Sequence, residues 1–327
     1  MIKTPTECQK RRKRIVLTIE DHKYIDIIRG KTRINNRDNV SRTKSYLTYY
    51  LQHPEITWSL LASMVSRNAG WNMTDLWNEP FLQWLRAPFR QTLFHTYERP
   101  NWLIFEDTYP QLLVYALSKQ EKKPMFYLLK AFGVSIFIEA EWERYWKEKD
   151  GERLYKAQII NEQQLIERPV LKHHFFQQSV FNTMLFFSQE VLKLNVVVFP
   201  TLHGELYGYP VSHFQAVNER IELGKNLHSL LFKSTQSRAI QEFAFTVAHT
   251  GSRSDYEQFL PHQTKPDWKP GLREVGQEIR HKRSEVQEWF KGKILGQWFA
   301  EPQQPAKRLS PYFKKRRLLN KWVSFWS

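Results

Sequence analysis

Cysteine is almost missing from this chain: among 327 residues only Cys8 occurs, inside a basic leader. One thiol can form neither an intrachain disulfide nor a thiolate zinc site, and it fits a reducing cytoplasm. Uninterrupted apolar runs are missing too. No stretch reaches the roughly 18 to 20 residues of a membrane span, and the nearest, Met125 to Ala140, is broken by Lys130 and Glu139. The N-terminal stretch is basic but lacks the apolar core of a secretion signal, because Glu20 and Asp21 directly follow Ile15 to Ile19. A soluble or peripheral cytoplasmic protein is expected.

Chemistry-bearing motifs are just as scarce. The chain contains no His-Glu-x-x-His, no phosphate-binding loop, no Gly-x-Gly-x-x-Gly and no Gly-x-Ser-x-Gly, which disfavours the common phosphate-loop and α/β-hydrolase enzymes. His203-Gly204-Glu205 has half of a zinc-deaminase signature, but the paired cysteines of the other half cannot exist here. Glu278 and His281 have the spacing of a di-iron ligand pair, and no second copy accompanies them. No metal and no cofactor is implied.

What the chain does have is charge at its ends. Residues 1–44 hold 13 Lys or Arg against 5 Asp or Glu, and residues 265–327 hold 15 against 6, leaving 21 basic and 22 acidic side chains for the long middle. The densest runs are Lys10-Arg11-Arg12-Lys13-Arg14 and Lys314-Lys315-Arg316-Arg317. Clustered like charge repels itself and is best tolerated beside counter-charge, so an anionic polymer or an anionic membrane face is the partner class it suits. Solvated tails without a ligand are the plainer alternative. Beyond Arg317, Leu318, Leu319, Trp322, Val323, Phe325 and Trp326 recur at helical spacing. That cationic amphipathic pattern fits a helix docked on the protein's own core, on a membrane, on nucleic acid or on another protein.

Aromatic residues make up 15% of the chain, 12 of them Trp, which argues for a bulky packed core. With only 12 glycines and apolar residues repeating at three and four, the expected fold is all-α, an irregular multi-helix globule. The β-branched run around Val196 to Phe199, followed by Pro200, Gly204 and Gly208, predicts one short hairpin near 196–207. Helices are expected from His53 with Gly70 as the stop, then from an Asn72 cap, over Phe81 to Tyr97, Trp102 to Leu117, Pro124 to Lys149, Glu152 to Glu167 and His173 to Leu192. Ser212 with Gln215 and Ser284 with Gln287 read as capping boxes for two more. The organisation is a basic, partly disordered segment 1–36, a helical body 37–300 with a sub-boundary near 261–271, and a basic aromatic segment 301–327.

Two groups of polar residues are candidates for a pocket. Arg67, Asn68 and Asp75 lie where the pattern predicts burial, so they need partners, either in a structural network or around a ligand. Glu98, Glu106 and Asp107 could share acid and base work if they faced one cleft. Arg42 and Lys44 would join Arg67 if an anion were held there. The loop His249 to Asp255 is rich in small polar residues that could cap a helix or cradle an anion.

Four phrases, SRTKSYLTYYLQHPEITWSLLASMVSRNAGWNMTDL, ERPNWLIFEDTYPQL, VVVFPTLHGELYGYPVSHF and AHTGSRSDYEQF, resemble the YppC-like family of uncharacterised proteins from Bacillus and related Firmicutes, the domain of unknown function 2515. The resemblance runs from about Arg37 to Phe290. It implies a bacterial, cytoplasmic protein and assigns no activity, cofactor or site residue. The functional expectation from the residues is a non-enzymatic binding protein that engages nucleic acid or an anionic membrane surface through its basic termini. The alternatives are an enzyme of unrecognised class with a polar pocket around Arg67, Asn68, Asp75, Glu98, Glu106 or Asp107, and an assembly subunit that holds a protein partner on its aromatic surface.

Overall fold

A computed structural model describes residues 16–79, 81–174, 177, 196–211, 213–261, 270–275, 281, 283, 296–302 and 307–309. The fold is mainly α with one small antiparallel sheet, as the helical periodicity and the β-branched run predict. Helix α1 (Ile19–Asn35) is followed by α2 (Asn39–Gln52), α3 (Thr57–Asp75), the long α4 (Ala87–Gln120), α5 (Ile136–Glu148) and α6 (Gly151–Ile166). After the sheet come α7 (Val217–Phe232) and α8 (Ser237–Thr246).

The basic segment 1–36 includes a packed element. α1 starts from a capping box in which the Thr18 hydroxyl accepts the Asp21 N–H and the Asp21 carboxylate accepts the Thr18 N–H, satisfying donors that a helix start leaves orphaned. Tyr127 donates to the other Asp21 oxygen at 2.7 Å. Ile25 and Ile28 are buried in the main core, each contributing roughly 1.5–3 kcal/mol of hydrophobic stabilisation. The start of α1 is thereby fixed on the turn Phe126–Phe132.

α3 is the hub, packing against α2, α4, α6, α7 and the first strand. It starts at Thr57 and runs through Gly70 to Asp75, so Gly70 is not a stop and Asn72 is not a cap. A Cβ at Gly70 would lie 2.5 Å from Asn39 Oδ1 and 2.7 Å from His249 Nε2. The glycine is there because two side chains cross the helix at that point.

α4 is likewise one helix of 34 residues, with Pro100 and Pro110 inside it, where the sequence pattern suggests two. Proline removes a backbone donor and crowds the preceding turn. Here packing against α1, α2, α3 and α6 holds the helix through both sites, and the Asn101 amide donates to the Tyr97 carbonyl at 2.7 Å.

Strands β1 (Val196–Pro200) and β2 (Leu206–Pro210) form the hairpin, and β3 (Lys307–Arg308) adds to β2. Asn68 of α3 closes the free side of β1, accepting from the Val198 N–H at 2.7 Å and donating to its carbonyl at 2.8 Å. A side-chain amide thus replaces a neighbouring strand. The main core is aromatic: Trp58, Trp71, Trp142, Phe105, Phe126 and Phe199 are all fully buried. Most of the helix expected from His173 to Leu192, the caps at Ser212 and Ser284, and most of the sub-boundary near 261–271 lie outside the described residues.

Candidate functional site

The two candidate groups fall into two networks. In the first, α3 sends each polar side chain to a different segment. Arg67 donates to the carbonyls of Ala244 and Val247 at 3.0 and 2.7 Å, and its guanidinium lies over the Phe243 ring. Burial lowers its pKa to about 10, opposed by Asp255, so it stays charged at neutral pH. Asn68 holds β1. Asp75 receives Arg253 at 2.5 Å, and Arg253 also donates to Asn72 and to the Tyr256 hydroxyl.

Beside them, Asp255 accepts from Trp71, from the Thr250 N–H and from the Thr250 hydroxyl. His249 spans 3.2 Å to Asp255 and 2.9 Å to Asn39 Oδ1. Burial pushes the His249 pKa down against the pull of Asp255. An Asp-His pair invites a catalytic reading, but both side chains are only 3% exposed and the outer ring nitrogen meets Asn39. The loop from His249 to Asp255 turns its Thr250 N–H and hydroxyl onto its own Asp255 carboxylate, while the Ser252 and Ser254 N–H groups go to the Thr250 and Ser252 hydroxyls.

The second network runs along α4. Glu98 is gripped by Arg42 at 2.6 and 2.5 Å, both deeply buried. Burial raises the Glu98 pKa against the effect of Arg42. Arg42 is therefore committed to Glu98. Asp107, fully buried, accepts from Arg283, Asn161 and Gln111; burial pushes its pKa up while these donors pull it down. Asn161 and Gln111 extend the chain of bonds to Ser135, Gln158, Gln164 and Trp142.

Glu162, which sequence reasoning missed, accepts from the Trp58 indole at 2.6 Å, and its pKa is pushed up to about 8, first by burial and further by Asp107. It is a protonated carboxyl at neutral pH. The only signal for it in the sequence is its place in a helix whose neighbours on both sides are buried.

Of the six candidates, Glu106 lines open space. A cleft of about 500 Å³ lies between α1 and α4, bordered by Asp26, Arg29, Arg33, Asn36, Trp102 and Glu106. A smaller hollow of about 160 Å³ also borders Arg29 and Glu106 and adds Arg283. Glu106 accepts from Asn36 at 3.0 Å, and burial raises its pKa. Arg29 is shared with Asp26 and Arg283 with Asp107, which leaves Arg33 as the unpaired guanidinium of the larger cleft, beside two carboxyls. Arg29 and Arg33 of α1 escaped sequence reasoning because Glu106 and Arg283, which border the same hollows, lie far from them in the chain. The basic runs Lys10-Arg11-Arg12-Lys13-Arg14 and Lys314-Lys315-Arg316-Arg317 lie outside the described residues. Among the described residues, no group of three His, Cys, Asp or Glu is placed to hold a metal ion, and no helix is long and apolar enough to cross a membrane.

These features belong to a helical family defined by its sequence. The chain is a member of the family described as "Protein of unknown function (DUF2515)", whose pattern matches residues 34–322. It is 44% identical over 300 residues to "Uncharacterized protein YppC" of Bacillus subtilis (strain 168), covering 90% of this chain and 93% of that protein. No solved structure matches.

Proposed function

We propose that this protein is a non-enzymatic binding protein that engages a phosphate-bearing partner, a nucleic acid or an anionic membrane surface, in the cytoplasm through its basic ends. The observation that carries this reading is the separation of charge, with both ends strongly cationic around a middle of 21 basic and 22 acidic residues. Internal pairing narrows which cations are available. Arg273 pairs with Asp38, and Arg283 is held by Asp107, so part of the C-terminal excess is used inside the fold. By contrast the side chains of Lys23, Lys31 and Arg33 on α1 are exposed and make no hydrogen bond or ion pair among the described residues. They follow the run Lys10 to Arg14 directly. Each cation that meets a phosphate releases condensed counterions, which makes the affinity strongly salt-dependent.

The test is binding of the full chain to a polyanion such as heparin. Affinity should fall by about 100-fold or more between roughly 50 and 200 mM salt. Replacing Lys10, Arg11, Arg12, Lys13 and Arg14 by Gln should flatten that dependence. Affinity that ignores both salt and these substitutions would remove the basis of the reading.

A further inference from the structure

The outer face of α1 carries more than charge. Ile19, Ile27 and Ile34 are 80%, 54% and 69% exposed, and Val16 just before the helix is 84% exposed. Spacings of eight and seven residues put the three isoleucines on one side of the helix. Lys23 and Lys31 alternate with them, while Arg29 and Arg33 flank the stripe on the side of the cleft that also contains Trp102. The opposite side of α1 is buried through Ile25, Ile28 and Thr32, and the capping box and Tyr127 fix the helix start. The isoleucines cannot turn inward without unpacking that side.

Building on the proposed engagement of a phosphate-bearing partner, we infer that the outer face of α1 docks on an anionic lipid surface, with the helix lying in the plane of the interface. Charge complementarity selects the occupant. Lys23, Lys31 and Arg33 are exposed and make no ion pair among the described residues, whereas Asp26 is paired with Arg29, Asp38 with Arg37 and Arg273, and Glu20 accepts from Tyr24. The isoleucines then decide between phosphate-bearing surfaces. Aliphatic side chains form no π-stack with bases, and along a phosphate backbone they gain little compared with burial in an acyl boundary. At a bilayer they enter the headgroup and acyl boundary while lysines extend their stems along it and keep their ammonium groups among lipid phosphates. A second copy of the chain would bring the same excess of cations to the stripe, and that like charge disfavours it.

The test compares the full-length protein with its Ile19→Asn/Ile27→Asn/Ile34→Asn variant. Flotation is measured with vesicles of phosphatidylcholine alone and with added phosphatidylglycerol, and binding to duplex DNA is measured in the same buffer. The unmodified chain should float with the anionic vesicles only. The triple variant should lose roughly tenfold or more of that binding while melting at the same temperature and binding DNA as before. Equal flotation of the variant, or equal flotation on neutral vesicles, overturns the inference. Salt-sensitive DNA binding without vesicle binding overturns it and leaves the broader reading intact. Capture by neither vesicles nor DNA removes both.

Discussion

Helices α1 and α3 treat their polar residues in opposite ways. α3 takes Arg67, Asn68, Thr74 and Asp75 inside and gives each a partner on a remote segment: carbonyls at Ala244 and Val247, strand β1, the carbonyl of Gly251, and Arg253. α1 buries little polarity beyond Asp21 and Thr32 and leaves its cations outside beside exposed isoleucines. Dense polarity on a helix therefore signals two different things. Where internal partners complete the bonding, it locks segments together, since a buried polar group without a partner is costly. Where they are missing and apolar side chains are exposed as well, the surface is prepared for something outside.

The largest effect should come from breaking the α3 network. Asp75→Ala takes from the buried Arg253 its carboxylate at Asp75 and should lower stability by about 3–5 kcal/mol, read from chemical denaturation; a loss under about 1 kcal/mol would mean that the network does not lock the fold. Gly70→Ala is next. Alanine favours a helix by up to about 1 kcal/mol, yet the added methyl collides with Asn39 and His249, and a net loss of about 1–3 kcal/mol is expected.

The pH dependence of stability separates the buried titrating groups. Glu162 keeps a proton in the fold up to about pH 8 and loses it near 4.5 when unfolded. The native state thus binds more protons across that window, so stability falls as pH rises through it. Glu162→Gln should flatten that slope. His228 has the opposite sign: burial chiefly, helped by Lys233 and Lys156, lowers its pKa to about 3, so stability is lost as pH drops from 6.5 toward 3. Thermal melting across pH 4 to 9 in the unmodified chain and in Glu162→Gln measures both arms. The smallest effect belongs to α1, where Ile27→Asn should change stability by no more than about 0.5 kcal/mol. A larger loss would show that the outer face is covered within the protein itself.

Much of this architecture was legible from periodicity. The helical class, the short hairpin and the span of α6 follow from spacing and β-branching. The need of Arg67, Asn68 and Asp75 for partners also follows, because polar groups at buried positions must be satisfied. The identity of those partners does not. Asn68 meets a residue 130 positions away and Asp75 one 178 positions away, and no local pattern encodes such distances. The same gap hid the role of Gly70, whose local signal is that of a helix end, and the continuity of α4 through Pro100 and Pro110. The carboxylates Glu98, Glu106 and Asp107 sit close together in sequence, yet Glu98 and Glu106 are linked only through Arg42 and Asn36, and Asp107 leads to Arg283.

By itself the sequence determined the chemistry available: an aromatic helical core, a single thiol, and positive charge concentrated toward both ends. Tertiary structure decided which charges are left over. Packing set Arg273 and Arg283 against acids of the body while keeping Lys23, Lys31 and Arg33 in solvent beside three isoleucines. Counting charges along a chain cannot anticipate that outcome, because an ion pair depends on the distance and burial of both partners, and both are set by contacts between segments far apart in sequence.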